Sequence, residues 1–282
     1  MEIDRVQLAV ADRGEAARAF RRLLGAEITR EDAVAPLAAR RTTLALGASE
    51  VELLAPDGAG PVAAHLAAWG PGLFAGGVAT ESAGEVRARL VARASSFAEA
   101  GTQLFLPPAA TGDHGLRCVV SPLAARPAVG LASHLYEVTN LVADWQAASR
   151  DYTTLFGLDA ARFCPIESET FGYRGVLTMF DPTTRLDRIE CITPYDAAKT
   201  MGRFMAKRGS SLYMCFVEAP DLRPIIARAE EHAPRDWSPP PGGAATDSLF
   251  IHPRALGGLL LGVSRTTVGW SWSGHPERVR PQ

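Results

Sequence analysis

The chain has 282 residues, of which 47% are hydrophobic, and its 29 basic and 31 acidic residues leave a net charge of −2. This length is sufficient for two ordinary hydrophobic cores. Without a basic run the chain lacks the positive surface that polyanions require, which excludes nucleic acid as a partner. No apolar stretch is long enough to cross a bilayer and no signal peptide is evident, which excludes a membrane partner and predicts a cytoplasmic protein.

The first half of the chain is predicted to contain two units with the element order βαβββ. In each unit, apolar and polar residues that alternate with a period of two indicate a strand. A polar N-cap residue followed by apolar residues at helical spacing indicates the helix that follows. The first unit has strands over 3–10, 27–31, 40–46 and 49–55, with a helix between Asp12 and Gly25. The second has a linking helix over 61–69, a strand over 73–80, a helix opened by Ser82, and strands over 103–106 and 116–120.

The second half repeats this order. The third unit has strands over 133–140, 160–164, 173–180 and 186–192, with a helix over 144–156; the fourth has helices over 196–207 and 221–231 and strands over 211–218, 248–252 and 258–264. The proline-rich segment 238–243 is predicted to be a surface loop or a lid over a pocket. Residues 123–130 read as a linker. We therefore expect an N-terminal domain over 1–126, a C-terminal domain over 131–270 and a tail over 271–282.

A repeated motif indicates tandem duplication. Asp12, Phe20 and Gly25 recur with identical spacing as Asp144, Tyr152 and Gly157, and VELLAP, which ends at Pro56, recurs as IECITP. Equivalent positions in repeats face equivalent places, so the motif also locates the pocket.

With these motifs the chain resembles the vicinal oxygen chelate superfamily, which includes glyoxalase I, bleomycin resistance proteins, methylmalonyl-CoA epimerase and extradiol dioxygenases. The resemblance covers nearly the whole chain. It implies an α+β fold in which four βαβββ modules form two glyoxalase-like open-barrel domains. It also implies a divalent metal on the concave face, held by His, Gln or Glu seven residues before the capping residue and four residues before the proline that ends the last strand.

In the first domain the residues at these positions do not form a metal site. They are Arg5, Glu52, Ala75 and Cys118. Arginine offers only hydrogen-bond donors and repels a cation, and alanine has no lone pair. We expect Arg5 and Glu52 to form a buried ion pair in place of the metal, and this domain to be mainly structural.

In the second domain the corresponding residues are Glu137, Glu190, Met214 and Gly262. Two carboxylates fall short of the three or four protein ligands that a stable metal site usually has. We therefore predict no metal and no other cofactor. Because side chains alternate along a strand, Leu135 and Thr139 are expected on the face of Glu137, and Leu212 and Phe216 on that of Met214. The predicted ligand-binding residues of this face are Thr139, Leu135, Met214, Phe216 and Gly262.

Two carboxylates in such an apolar cavity raise each other's pKa, so one can hold a proton while the other acts as a base. The leading hypothesis is a metal-independent isomerase, epimerase or lyase that moves a proton next to the carbonyl of a small apolar substrate. In addition, His252 could act as a general acid, and Arg254 could hold an anionic group. Trp270 and Trp272 lie two residues apart, and this alternation indicates a further strand.

Several alternatives stay open. Each glutamate could instead be neutralised by an arginine such as Arg174 or Arg188 and carry no transferable proton. The chain could be a non-catalytic binding protein, as bleomycin resistance proteins are, or a metal-dependent dioxygenase or glyoxalase with displaced ligands. The open barrels of this superfamily often pair, so the sequence also leaves a homodimer open.

Overall fold

A computed structural model describes residues 1–180 and 185–281. Residues 2–122 form an eight-stranded curled sheet with the strand order β2-β3-β4-β1-β5-β8-β7-β6. Its strands are β1 (Glu2–Ala9), β2 (Glu27–Val34), β3 (Ala39–Leu46), β4 (Ser49–Pro56), β5 (Gly72–Thr80), β6 (Ala98–Ala100), β7 (Gln103–Leu106) and β8 (Cys118–Pro122). Its helices are α1 (Arg13–Leu24), α2 (Pro61–Trp69) and α3 (Ala83–Ala92).

The C-terminal domain repeats this topology in an equivalent sheet with the order β10-β11-β12-β9-β13-β16-β15-β14. The strands are β9 (His134–Leu141), β10 (Cys164–Ser168), β11 (Tyr173–Met179), β12 (Arg188–Pro194), β13 (Ser211–Ala219), β14 (Trp237–Ser238), β15 (Ser248–Ile251) and β16 (Leu261–Arg265). The helices are α4 (Trp145–Phe156), α5 (Thr200–Arg208) and α6 (Arg223–His232). The predicted α+β fold with two glyoxalase-like domains is confirmed.

The duplicated motif corresponds to two helices with matching ends. Asp12 accepts a hydrogen bond from the Glu15 amide at the start of α1, and Asp144 accepts from two amides at the start of α4. Gly25 and Gly157 end these helices, each in the left-handed conformation with a φ of 72°. Ser82 precedes α3 as predicted, but its side chain makes no capping hydrogen bond.

β-Bulges interrupt the alternation of side chains on two central strands of the C-terminal sheet. β9 and β13 are antiparallel, and their register shifts between Leu212 and Met214 and again between Phe216 and Val217. An extra residue in one strand reverses the facing of the residues beyond it. As a result Leu135 and Leu212 lie in the helix-side core rather than on the concave face, contrary to the predicted alternation.

The two domains share one hydrophobic core. It joins Val6 and Leu8 of β1 to Val138 of β9 and Cys215 of β13 in a continuous cluster. Hydrogen bonds also cross the boundary: the Ala48 amide donates to the Ser133 carbonyl oxygen at 2.7 Å, and the Leu135 amide donates to Ser49 Oγ at 2.9 Å. The domains are therefore packed as a single body.

The C-terminal segment departs from its predicted form. Val268–Trp272 is a 3₁₀ helix rather than a strand, and the predicted tail packs against it, with the Arg278 guanidinium 4.7 Å from the centre of the Trp270 ring. Gln282 lies outside the described residues. Within residues 1–180 and 185–281, no helix has both the length and the hydropathy needed to span a membrane.

Candidate functional site

The concave face of the C-terminal sheet encloses a cavity of about 600 Å³. This is within the range of pockets that hold small organic molecules. The proline-rich segment borders it, as predicted, through Pro239, Pro240 and Pro241. Most of the other lining side chains are apolar or aromatic: Ile166, Phe171, Tyr173, Ile192, Met201, Tyr213, Met214, Phe216, Phe250, Leu260 and Trp272.

Two buried glutamates line this apolar cavity. Glu137 of β9 is 2% exposed and Glu190 of β12 is 5% exposed. The strands that carry them are adjacent and parallel, and Glu190 lies opposite Thr139 in the register. Thr139 Oγ1 lies 2.7 Å from Glu190 Oε2 and 3.1 Å from Glu137 Oε1. The hydroxyl group thus bridges the two carboxyl groups.

Among residues 1–180 and 185–281, only one of these glutamates is ion-paired. Arg188, which is fully buried, donates from Nε to Glu137 Oε2 at 2.7 Å, and its guanidinium packs 4.9 Å from the centre of the Tyr136 ring. The arginine pairing that the sequence left open therefore applies to Glu137, through Arg188. Arg174 makes no ion pair with either glutamate among the described residues, and its side chain is exposed.

Burial and the neighbouring Glu137 raise the pKa of Glu190 to about 8. Loss of hydration disfavours the ionised carboxyl group, and a nearby negative charge disfavours it further. Opposing contributions come from the Thr139 hydrogen bond and the Arg188 charge, and they are smaller than burial. Glu190 is therefore mainly protonated at neutral pH.

The Thr139 hydroxyl group can link the two carboxyl groups in one order of hydrogen bonds when Glu190 is protonated. A hydroxyl group has one hydrogen, so Thr139 cannot donate to both carboxyl groups at once. Both contacts are satisfied when protonated Glu190 donates to Thr139 Oγ1 and Thr139 donates to Glu137, whose charge Arg188 balances. In this arrangement a chain of hydrogen bonds runs from neutral Glu190 in the cavity, through Thr139, to the buried ion pair of Glu137 and Arg188.

The residues at the superfamily's metal positions do not fit a divalent cation. Met214 lines the cavity but is a soft ligand, and Gly262 has no side chain. The Arg188 guanidinium lies against Glu137, where it would repel a cation, and Glu190 would have to lose its proton first. Among the described residues no group of three or more His, Cys, Asp or Glu side chains is arranged to hold a metal.

The structure places most of the predicted site residues around the same cavity. Besides the two glutamates, these are Thr139, Met214, Phe216 and His252. His252 lies at the end of β15, with Nε2 at 3.2 Å from Ser238 Oγ of the proline-rich segment. The catalytic and binding roles of these residues stay predictions.

Three predicted binding residues do not line the cavity. Leu135 faces the core because of the bulge in β9. Arg254 lies on a 3₁₀ turn with its side chain 83% exposed, near Asp236, and borders a different cleft beside α1. Gly262 lies under the Phe216 ring, since a Cβ atom there would be 2.2 Å from Phe216 Cε1. It leaves room for the ring rather than contacting a ligand.

Sequence reasoning missed two tyrosines of the cavity. Tyr173 begins β11, and Tyr213 lies at a register shift of β13, where strict alternation would have placed it on the opposite face. Neither hydroxyl group has a hydrogen-bond partner within the described part of the chain. Burial raises the pKa of both side chains, so both hydroxyl groups stay protonated and are free to donate.

The equivalent position in the N-terminal domain is filled by ion pairs. Arg5 Nη1 lies 2.9 Å from Glu52 Oε1, which confirms the predicted buried pair. Arg41 also contacts Glu52 Oε1, at 3.0 Å, and Gln7 Nε2 donates to Glu52 Oε2 at 2.7 Å. Glu52 thus has several partners where Glu190 has few.

Comparisons with known proteins identify structural neighbours. No protein-family model and no curated protein matches the sequence. A variant of 4-hydroxymandelate synthase from Streptomyces coelicolor shares the fold, with a TM-score of 0.67, 15% sequence identity and coverage of 99% of each chain. Methylmalonyl-CoA epimerase from Mycobacterium tuberculosis matches 48% of this chain and 89% of its own, with 22% identity and a TM-score of 0.39.

The full-length neighbour belongs to the superfamily to which the tandem motifs point, and it matches this chain along 99% of its length. At this level of identity the similarity establishes the fold and leaves the reaction open. The chain therefore has the vicinal oxygen chelate fold, in two glyoxalase-like domains.

Proposed function

We propose that the chain is an acid–base enzyme whose C-terminal cavity binds a small, largely apolar molecule bearing a carbonyl group. Glu190 removes a proton from the carbon next to that carbonyl. In an isomerisation or epimerisation it returns the proton to carbon, in an elimination it gives the proton to the group that departs from the neighbouring carbon, and neither route needs a metal. The observation that carries this proposal is the buried Glu190 carboxyl group, whose pKa of about 8 lies near the working pH, where a general acid–base group is most effective.

The proton transfer balances within the cavity. The ionised form of Glu190, about a tenth of the protein at pH 7 for a pKa near 8, accepts the proton as the C–H bond breaks. The bonding electrons move to the carbonyl oxygen, where protonated hydroxyl groups such as those of Tyr173 and Tyr213 stabilise the developing negative charge. Glu137 stays ion-paired to Arg188 and holds Thr139 in place to orient Glu190.

Hydrogen exchange with solvent tests the proposal. Small aryl ketones with α-hydrogens are incubated with the protein in D₂O, and loss of the α-hydrogen signal is followed by ¹H NMR. We expect exchange with at least one ketone, at a rate that rises with pH through about 8 as Glu190 ionises. Glu190→Gln should lower the rate by at least about 100-fold, within the usual range for a general acid–base group. Glu230→Gln, on the exposed face of α6, should leave it unchanged.

A second candidate function is non-catalytic binding of a small organic molecule, favoured by the apolar wall and by the pairing of Glu137 with Arg188. This function needs no titrating acid. Tight binding of a ligand that is never exchanged, with equal affinity in the wild type and Glu190→Gln, would support it over the enzyme. Elemental analysis of the purified protein addresses the third candidate, since stoichiometric Fe, Mn, Ni or Zn would overturn a metal-independent reaction.

A further inference from the structure

A second cleft, distinct from the C-terminal cavity, lies at the boundary between the domains. It has a volume of about 340 Å³. Its N-terminal wall comes from α2, the start of β5 and the segment before β8, and its C-terminal wall from the end of α5 and the start of β13. None of the described residues that line it is acidic. We name it the interdomain cleft.

Two arginines of this cleft have no counter-charge in the described part of the chain. Arg117 comes from the N-terminal domain and Arg208 from the end of α5, and neither forms an ion pair among the described residues. Burial lowers the pKa of each guanidinium group, with no acidic neighbour to offset the effect. Arginine nevertheless stays charged in proteins. Partly buried, unpaired arginines are therefore free to bind an anion by bidentate hydrogen bonds.

Aromatic contacts hold both guanidinium groups in place. Arg117 lies 4.9 Å from the centre of the Phe74 ring. Arg208 lies 5.5 Å from the centre of the Trp69 ring and donates from Nη2 to the Trp69 carbonyl oxygen at 2.9 Å. Such contacts limit the motion of a long side chain, so less entropy is lost when a ligand binds.

His65 of α2 provides a third polar group. Its Nε2 atom is buried and has no hydrogen-bond partner, and its ring packs edge-on against Phe74 at 5.5 Å between centroids. Burial, with added repulsion from Arg208 and Arg117, lowers the pKa of His65 to about 4. Both arginines therefore act on one neutral imidazole, and an unpaired buried nitrogen is costly unless a ligand supplies the missing partner.

We propose that the interdomain cleft is a second binding site, for a small organic anion with an apolar body. Arg117 and Arg208 bind its carboxylate or phosphate group, and His65 Nε2 donates to it. Trp69, Leu73 and Phe74 contact the apolar part. This site does not depend on the acid–base function of the C-terminal cavity.

Calorimetric titration of the full chain with benzoate, phenyl phosphate and the neutral analogue benzyl alcohol tests the proposal. We expect at least one anion to bind at least about tenfold more tightly than benzyl alcohol, and the better anion identifies a carboxylate or a phosphate site. Arg117→Gln and Arg208→Gln should each weaken that binding by at least about tenfold. Lys207→Gln removes a charge from an exposed position on the same helix, and should leave the affinity within about twofold.

Equal affinity for benzyl alcohol and the anions, or full affinity in both arginine variants, would overturn the proposal. A measurement on the wild type covers the case in which a variant does not fold. The pKa of His65, followed by NMR, should rise clearly from about 4 when the preferred anion saturates the protein, because the anion offsets the two arginine charges. An unchanged His65 titration at saturation would show that the anion binds elsewhere.

Discussion

Glu52 and Glu190 occupy equivalent positions in the two domains, yet their surroundings differ. Arg5, Arg41 and Gln7 all contact Glu52, so its charge is balanced and its lone pairs are used. Glu190 has the Thr139 hydroxyl group and a second carboxylate nearby, and no arginine hydrogen-bonds to it within the described chain. The same fold position is therefore a structural ion pair in one domain and a neutral acid in the other.

The raised pKa of Glu190 predicts how stability depends on pH. In the unfolded chain the carboxyl group ionises near 4.5, and in the folded protein near 8. Its proton therefore favours the folded state fully below pH 4.5, and this contribution is lost as the pH rises through about 8. Glu190→Gln removes this loss of stability at high pH, because glutamine stays neutral.

We expect Glu190→Gln to match the wild type within about 1 °C in melting temperature at pH 4, and to exceed it by at least about 2–4 °C at pH 8.5, the shift that about 1 kcal/mol produces in a protein of this size. Thermal unfolding followed by circular dichroism at several pH values measures the difference. A gap that does not widen with pH would mean that Glu190 titrates normally.

At the scale of single elements, the bulged strands decide which side chains enter the cavity. The register shifts in β9 and β13 place Tyr213 beside Met214 and remove Leu135 and Leu212 from the concave face. β16 then lies against β13, with Gly262 opposite Phe216. Because Gly262 has no side chain, the Phe216 ring lies across it and forms part of the cavity wall.

Gly262→Ala should therefore displace the Phe216 ring, since the new Cβ atom would lie 2.2 Å from Phe216 Cε1. We expect a loss of about 1–3 kcal/mol in the free energy of unfolding, the usual cost of overpacking a core. Gly84→Ala in α3 is the control, because a Cβ atom there meets open space. Urea unfolding of both variants gives the comparison, and equal stability of the two would show that the ring moves without cost.

At the scale of the whole molecule, the domains are joined by close backbone approaches as well as by the shared core. A Cβ atom on Gly258 would lie 2.3 Å from the Pro71 carbonyl oxygen of the other domain, and one on Gly115 would lie 2.0 Å from the Ser210 carbonyl oxygen. The first contact joins Gly258 of the C-terminal domain to the residue before β5, and the second joins Gly115 of the N-terminal domain to the residue before β13. Side chains cannot be accommodated at either point without separating the domains.

Gly258→Ala tests the domain contact. Its control is Gly58→Ala, because both glycines have a positive φ, 95° and 104°, but a Cβ atom on Gly58 meets nothing within 4 Å. The backbone strain of about 1–3 kcal/mol is then common to both variants. We expect Gly258→Ala to lose at least about 1 kcal/mol more in the free energy of unfolding, measured with urea. Equal losses would show that the domain contact yields without cost.

The sequence by itself determined the fold and the location of the site. The repeated Asp, aromatic and Gly positions predicted two helices with matching caps, because helix periods and caps are local properties of the chain. The superfamily resemblance that these motifs carry implied that Glu137, Glu190 and Met214 lie around one cavity, and they do. Arg5 and Glu52 were correctly paired from the same positions.

Tertiary structure decided what local patterns do not encode. A bulge depends on how two strands pair, so the facing of Leu135 and Tyr213 followed only from the register of β9 against β13. The proton on Glu190 depends on burial and on which carboxylate Arg188 contacts, and those contacts join distant parts of the chain. The interdomain cleft exists only because the halves pack together, which brings Arg117 and Arg208 to one space. Sequence periodicity predicts each strand by itself. The protonation state of a side chain, and the face of the sheet on which it lies, depend on the residues that folding brings next to it.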